Sequence, residues 1–279
     1  MDFFRKNRNN SRSIDSNKLK KRIAESGIPA ELAEQAVEYV QKRFDDLELP
    51  IVALIGAPGV GKSSTINALF NAGVEIGDVR ATTKVEKPIV GDVSEYTGSK
   101  GSVIIYDMPG LGEDIFADQK HLETYIRVLP YVDVAVWVFQ AGYRAMTPMQ
   151  EGIMKLTKAL GDDIVKKFMF AINKADCTNP GEADWNTRLN IPSQKQQENI
   201  EENEKYILEK IQQIIPSWKG EIVTYSAKRS YRLEQLVCGM IEAMPSDGRF
   251  LLGDVIDTVD PLDQIDPQLR TIIEQMRRK

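Results

Sequence analysis

The sequence predicts an α/β fold: a doubly wound, mostly parallel sheet with helical N- and C-terminal extensions. Three observations carry this. Six short β-rich runs alternate with five helical patterns, several of the runs are almost continuously apolar, and a glycine-rich turn joins the first run to the first helix.

The runs span 51–55, 87–93, 102–106, 133–139, 167–172 and 221–225. An unbroken apolar stretch such as Ile51-Val52-Ala53-Leu54-Ile55 suits a strand covered on both faces, because a strand with one wet face alternates. Helices fit between the runs at 63–71, 115–129, 148–160, 193–215 and 233–244, and the fourth sets Ile207, Leu208, Ile211, Ile214 and Ile215 on one stripe after a polar approach over 178–192. This main domain occupies 50–244.

Ahead of it, residues 1–49 begin with a basic head (Arg5, Lys6, Arg8, Arg12, Lys18, Lys20, Lys21, Arg22). A helical pattern follows, opened by Pro29 and carrying Leu32, Ala36, Val40 and Phe44 on one face that has to dock, with the main domain as the expected surface. Phe3 and Phe4 beside the basic cluster offer a peripheral membrane or RNA contact; a solvated, disordered arm is the preferred reading. Residues 245–279 form an acidic tail in which Asp254, Asp257, Asp260, Asp263 and Asp266 interleave with Ile256, Val259, Leu262 and Ile265. The tail lacks the glycine and terminal glutamate of a calcium loop, and Asp266 and Pro267 open a last helix over 269–278.

The 279 residues suffice for one main core, and a 42% hydrophobic, 28% charged composition with net charge −5 is that of a soluble protein. No apolar run approaches the roughly 18 residues of a membrane span, and the polar, basic N-terminus is unlike a secretion signal, so a cytoplasmic location is expected. Cys177 and Cys238 show no redox or metal spacing. One histidine, His121, is too few for histidine-based triads or two-histidine zinc motifs, and it reads as a surface residue of a helix. The acidic balance argues against bulk electrostatic binding of nucleic acid.

Chemistry enters at Gly56-Ala57-Pro58-Gly59-Val60-Gly61-Lys62-Ser63, which fits G-x-x-x-x-G-K-[ST] in the strand-loop-helix setting that the P-loop requires. Its glycines let successive N–H groups wrap a phosphate, and the helix N-terminus adds positive potential. Lys62 is assigned to the β- and γ-phosphates, Ser63 to magnesium, and Ser64 beside it to the nucleotide. The choice of base falls to Asn173-Lys174-Ala175-Asp176, directly after the fifth run. A carboxylate at Asp176 accepts the ring N–H and the exocyclic amine of guanine together, whereas adenine has no such donor pair and would strand the acid. Lys174 covers the base with its aliphatic stem.

Asp107-Met108-Pro109-Gly110 follows the third run: Asp107 holds magnesium through water, and the Gly110 amide meets the γ-phosphate. Thr83 is the first choice for the magnesium-binding switch threonine, with Thr82 as the fallback. Ser226-Ala227-Lys228 ends the last run, with the Ala227 N–H directed to guanine O6.

These five boxes, in this order and over about 49–244, resemble the TrmE/Era/EngA superfamily of P-loop GTPases. D-M-P-G-L at 107–111 is similar to the Era-like D-T-P-G-L, and the segment from Trp185 to Ile200 resembles Era-like GTPases carried by bacterial prophages. The resemblance implies a P-loop NTPase (Ras-like) domain with a six-stranded sheet whose second strand is antiparallel, and ribosomal RNA as a partner. Some members use potassium bound by a P-loop asparagine; Gly59 stands at that position here.

Hydrolysis needs charge neutralised on the transferring phosphoryl group and a water placed in line. Lys62 and magnesium serve the first need. For the second, Leu111 stands where many small GTPases have a water-orienting glutamine. Arg80, three residues before Thr83, is a candidate arginine finger acting in cis, with Arg144, Glu113 and Asp114 weaker candidates. The expected function is slow hydrolysis of GTP to GDP and phosphate with Mg2+, resetting a switch. The alternative is a GTP-binding interaction module with negligible hydrolysis that acts through ribosomal RNA, a membrane or a protein. Self-association through the nucleotide face is left open, and a dynamin-like reading lacks its helical stalk.

Overall fold

A computed structural model describes residues 49–71, 88–97, 101–112, 114–142 and 144–244. The basic head and first helical pattern, the acidic tail, and the segment with Arg80, Thr82 and Thr83 lie outside the described residues, as does Glu113.

Six strands form one sheet in the order β2-β3-β1-β4-β5-β6. They are β1 Ile51–Gly56, β2 Ile89–Asp92, β3 Ser102–Asp107, β4 Val134–Gln140, β5 Phe168–Asn173 and β6 Val223–Thr224. β2 pairs antiparallel with β3, Gly91 opposite Val103, and every other pairing is parallel. The mixed sheet with an antiparallel second strand is therefore as the resemblance implied. The helices are α1 Lys62–Phe70, the single turn α2 Ser94–Thr97, α3 Ile115–Val128, α4 Thr147–Leu160, α5 Gln194–Gln212 and α6 Leu233–Ala243.

The apolar runs split by the two-residue period of a strand. Ile51, Ala53 and Ile55 of β1 join Ala135, Trp137 and Phe139 of β4 and Phe168, Phe170 and Ile172 of β5 in one core with α3, α4 and α5. Val52 and Leu54, with Val134, Val136 and Val138, enter the other core beneath α1 and α6. β1, β4 and β5 thus bury both faces, which is why their sequences show no alternation. Within the first core the Phe170 ring meets the Trp218 indole edge-on at 4.9 Å, and the indole N–H donates to Phe168 O at 3.0 Å.

With β1 between β3 and β4, the chain runs from β1 to β2 and β3 on one side and then crosses to β4, β5 and β6 on the other, and the C-terminal ends of the strands at such a switch point are where open α/β sheets bind ligands. The P-loop, the 107–111 segment, Gln140, the 173–176 segment and the 226–228 segment all lie at or just past those ends. Parallel pairing gathers motifs more than 100 residues apart onto one edge.

Candidate functional site

The phosphate end is built on the turn from β1 into α1. Gly61 caps α1 in a left-handed conformation, φ 95°, and a Cβ there would run into the Asn173 amide. Having no side chain, Gly61 leaves the first helical amides to an outside acceptor. Lys62 lies over the loop, with Nζ donating to Ala57 O at 3.0 Å and Gly56 O at 3.3 Å. Its burial, only partly offset by Asp107, pushes the ammonium down to about 8. Gly59 is exposed, and Ser64 is half buried in the first turn of α1.

Ser63 Oγ donates to Asp107 Oδ2 at 2.5 Å, with Asp107 2% exposed at the end of β3. A hydroxyl and a carboxylate side by side at the phosphate cradle form the all-oxygen donor set that magnesium takes. The chain then passes directly beneath the P-loop: a Cβ at Gly110 would stand 2.6 Å from Pro58 N. Met108 N–H donates to Leu54 O and Leu111 N–H to Gly56 O, both at 3.1 Å. Leu111 is 5% exposed among Trp137, Met149 and Ile153, so its side chain belongs to the core.

Two residues missed in the sequence hold this segment from α3. His121 Nδ1 donates to Gly110 O, and Tyr125 OH donates to Pro109 O, each at 2.6 Å. The expectation of a surface histidine is corrected: His121 is 5% exposed, because α3 turns that face toward the 107–111 segment. Asp114, a weaker catalytic candidate in the sequence, caps α3 by accepting from the Phe116 and Ala117 amides. Arg144 is exposed, lies over the Tyr206 ring at 5.8 Å and stands 3.9 Å from Glu202.

At the base end, Asn173 joins three loops. Its Nδ2 donates to Val60 O at 3.0 Å, while Oδ1 accepts Lys174 N–H at 2.7 Å and Ala227 N–H at 3.0 Å. The sequence directed the Ala227 amide to guanine O6; the structure gives it Asn173 as a partner, since an amide side chain supplies donor and acceptor at once. Lys174 has φ 64° and stretches its stem across the site, with Nζ donating to Gly59 O at 2.7 Å and Gln140 Oε1 at 2.9 Å. Asp176 is fully buried. Its Oδ1 accepts from Ser226 Oγ at 2.6 Å, and its Oδ2 has no hydrogen-bond partner, the Arg229 Nε standing 3.7 Å away. Lys228 points instead to Glu182, at 2.5 Å.

Gln196, also missed, is fully buried in the first turn of α5 and donates to the Asp176, Thr178 and Gly181 carbonyls at 3.0–3.2 Å. The pattern Ser193-x-x-Gln196, a capping box, marked the helix start but not this second duty. Asp176, Cys177 and Glu182 lie close enough to share a cation. Glu182, however, is paired with Lys228, and burial pushes the Cys177 thiol up to about 11, which keeps it protonated.

Comparison with known proteins gives a consistent result. The family described as "50S ribosome-binding GTPase" matches residues 51–174. The chain is 24% identical over 278 residues to the uncharacterized protein YfjP of Escherichia coli (strain K12), covering 90% of each. It is 30% identical over 175 residues to the GTPase Obg of Mycoplasmopsis synoviae (strain 53), covering 62% of this chain and 38% of that protein. The solved structure of Era from Aquifex aeolicus bound to GDP.AlF4- superposes with a TM-score of 0.50 at 23% identity, covering 72% of this chain and 58% of that one. At that identity the likeness speaks to the fold.

Proposed function

Because the chain carries a P-loop GTPase domain of the Era/TrmE/EngA type, we propose that it binds GTP with magnesium, hydrolyses it slowly to GDP and phosphate, and works as a switch. The observation that carries this reading is the Asp176 carboxylate. It is fully buried, one oxygen is held by Ser226, and the other makes no hydrogen bond and has only the long Arg229 ion pair at 3.7 Å beside it, at the edge that also bears the P-loop. A stranded buried acceptor is costly unless a ligand satisfies it, and guanine offers two adjacent donors that do so.

In this reading the P-loop amides of Gly59 to Ser64 and the desolvated Lys62 hold the triphosphate, Pro58 lines the loop without a donor of its own, and the Gly110 amide meets the γ-phosphate. Lys174 covers one face of the base with its stem; Ser226, Ala227 and Lys228 form the loop behind Asp176. Ser63 and Asp107 would hold magnesium, together with Thr83, and the ion would supply charge neutralisation at the phosphates. Arg80 is proposed as the finger in cis. Single-turnover hydrolysis that is unchanged in Arg80→Ala removes that assignment.

Slow turnover is supported by Leu111, whose side chain is committed to the core and cannot orient a water. The same observation favours the second reading, a guanine-nucleotide interaction module with negligible hydrolysis. Loss of the γ-phosphate would release Thr83 and Gly110, the two ends of the switch. The family description points to the ribosome as partner, the basic head to a peripheral membrane contact, and the exposed nucleotide edge to a homodimer. Two unpaired thiols, Cys177 and Cys238, suit a cytoplasmic setting, and among the described residues no helix is long and apolar enough to cross a membrane. The likeness of 185–200 to prophage-borne relatives belongs to the same proposal.

The deciding experiment is competition among GTP, GDP and ATP on the purified chain with magnesium, followed by phosphate release. Preference for GTP and GDP is expected. Preference for ATP, or no uptake of either guanine nucleotide, defeats the reading, and phosphate release separates a GTPase from a binding module.

A further inference from the structure

His121 and Tyr125 lie one turn apart on α3, so both face the 107–111 segment. Each holds a carbonyl there. Tyr125 OH donates to Pro109 O and His121 Nδ1 to Gly110 O, both at 2.6 Å, from side chains 0% and 5% exposed. A carbonyl can only accept, so Nδ1 carries the proton.

The consequence lies in the peptide planes. Pro109 O and Gly110 N belong to one trans peptide, so the carbonyl and the N–H point in opposite directions. With Pro109 O held against α3 by Tyr125, the Gly110 N–H is turned the other way. The next peptide is fixed at both ends, Gly110 O by His121 and Leu111 N–H by Gly56 O at 3.1 Å. Two successive peptides are thus locked, and a flip at Gly110 requires the Tyr125 bond to break. Glycine is required here because Pro58 leaves no room for a Cβ, yet glycine alone leaves the peptide orientation free; the two α3 side chains remove that freedom.

We propose that Tyr125 and His121 are positioning residues that aim the Gly110 amide at the γ-phosphate and thereby set the preference for GTP over GDP. The inference rests on the guanine-nucleotide reading above. It also links that amide to α3, whose first turn bears the exposed Phe116, so presence of the γ-phosphate reaches the helix through two hydrogen bonds.

The test compares binding of a non-hydrolysable GTP analogue and of GDP, each with magnesium, by calorimetry. Tyr125→Phe keeps the ring and removes only the hydroxyl. It is expected to lower the analogue-to-GDP affinity ratio about tenfold, with GDP affinity unchanged, because a diphosphate does not reach Gly110. His121→Leu should act in the same direction, whereas His121→Asn, which places an N–H near the Nδ1 position, should recover most of the ratio. A wild-type ratio in Tyr125→Phe overturns the proposal, as do equal losses for both nucleotides, which would mark the pair as merely structural. Should His121→Leu fail to fold, Tyr125→Phe decides. A wild-type protein that binds neither nucleotide defeats the parent reading instead.

Discussion

Asn173→Ala removes one small side chain and should cost more than a core truncation of its size, because four buried or half-buried groups depend on it. Nδ2 donates to Val60 O and, at 3.4 Å, to Gly61 O; Oδ1 accepts from Lys174 N and Ala227 N. Gly61 O keeps Thr65 N–H at 2.9 Å and Thr65 Oγ1 at 2.7 Å, so it is not stranded. Lys174 N is only partly buried and can turn to water. Val60 O and Ala227 N remain, both buried, and each lost partner costs about 1–3 kcal/mol. Water entering the vacated space relieves part of that sum, which leaves an expected loss of about 3 kcal/mol. Urea denaturation should show a midpoint lowered by about 1–2 M with an unchanged slope. GDP affinity should fall with it, since the P-loop and the 226–228 segment lose their common tie. A stability loss under about 0.5 kcal/mol, or a full loss with GDP affinity intact, would refute the view that Asn173 couples the two ends of the site.

Three further outcomes are expected. Asp176→Asn turns an amide toward guanine's donors, so competition assays should show GTP preference lost by at least about a hundredfold and xanthosine triphosphate preferred. Gly110→Ala drives a Cβ to 2.6 Å from Pro58 N and 2.7 Å from its ring carbons, backbone and ring that cannot rotate away; thermal unfolding should register about 1–3 kcal/mol, with GTP affinity falling further than GDP affinity. Lys62 has a folded pKa of about 8 against an ordinary 10.5, lowered chiefly by burial. Below about 8 folded and unfolded chains both carry the proton and the cost of burying the charge is present in full; between 8 and 10.5 only the unfolded chain holds it, so stability of the free chain rises with pH across that window. GDP affinity in magnesium-free buffer should fall over the same range as the cradle loses its charge, and Lys62→Ala should flatten both trends.

Much of this was legible in the residues, for physical reasons. Both faces of β1, β4 and β5 are buried, so their runs carry no polar interruption and could be found without an alignment. The P-loop and Asn173-Lys174-Ala175-Asp176 stood out as candidates because backbone approach to phosphate demands glycine and base choice demands an acid, and the structure brings both to one edge of the sheet. The direction of β2 was not legible from its residues. Its four positions carry no signal of direction, and the register with β3, from Ile89 opposite Ile105 to Asp92 opposite Ser102, fixes it. Nor was His121: a lone histidine in a helical pattern looks the same whether it meets water or a loop 11 residues earlier in the chain.

The Ala227 amide, which donates to Asn173, shows where motif reading reaches its limit. A box is read as a set of groups aimed at the ligand, but each loop must first satisfy its own buried donors and acceptors. In the described site much of the bonding runs between boxes: Asn173 to Val60 and Ala227, Ser226 to Asp176, Ser63 to Asp107, Leu111 to Gly56. The group left without a hydrogen-bond partner at the base end, Asp176 Oδ2, is therefore more informative about the ligand than any motif member already engaged. Parallel strands make this possible, because their C-terminal ends bring loops from distant parts of the chain within one hydrogen bond of each other. On the proposed reading the base-selecting acid and the phosphate cradle share Asn173, so a change at either end is expected to register at the other.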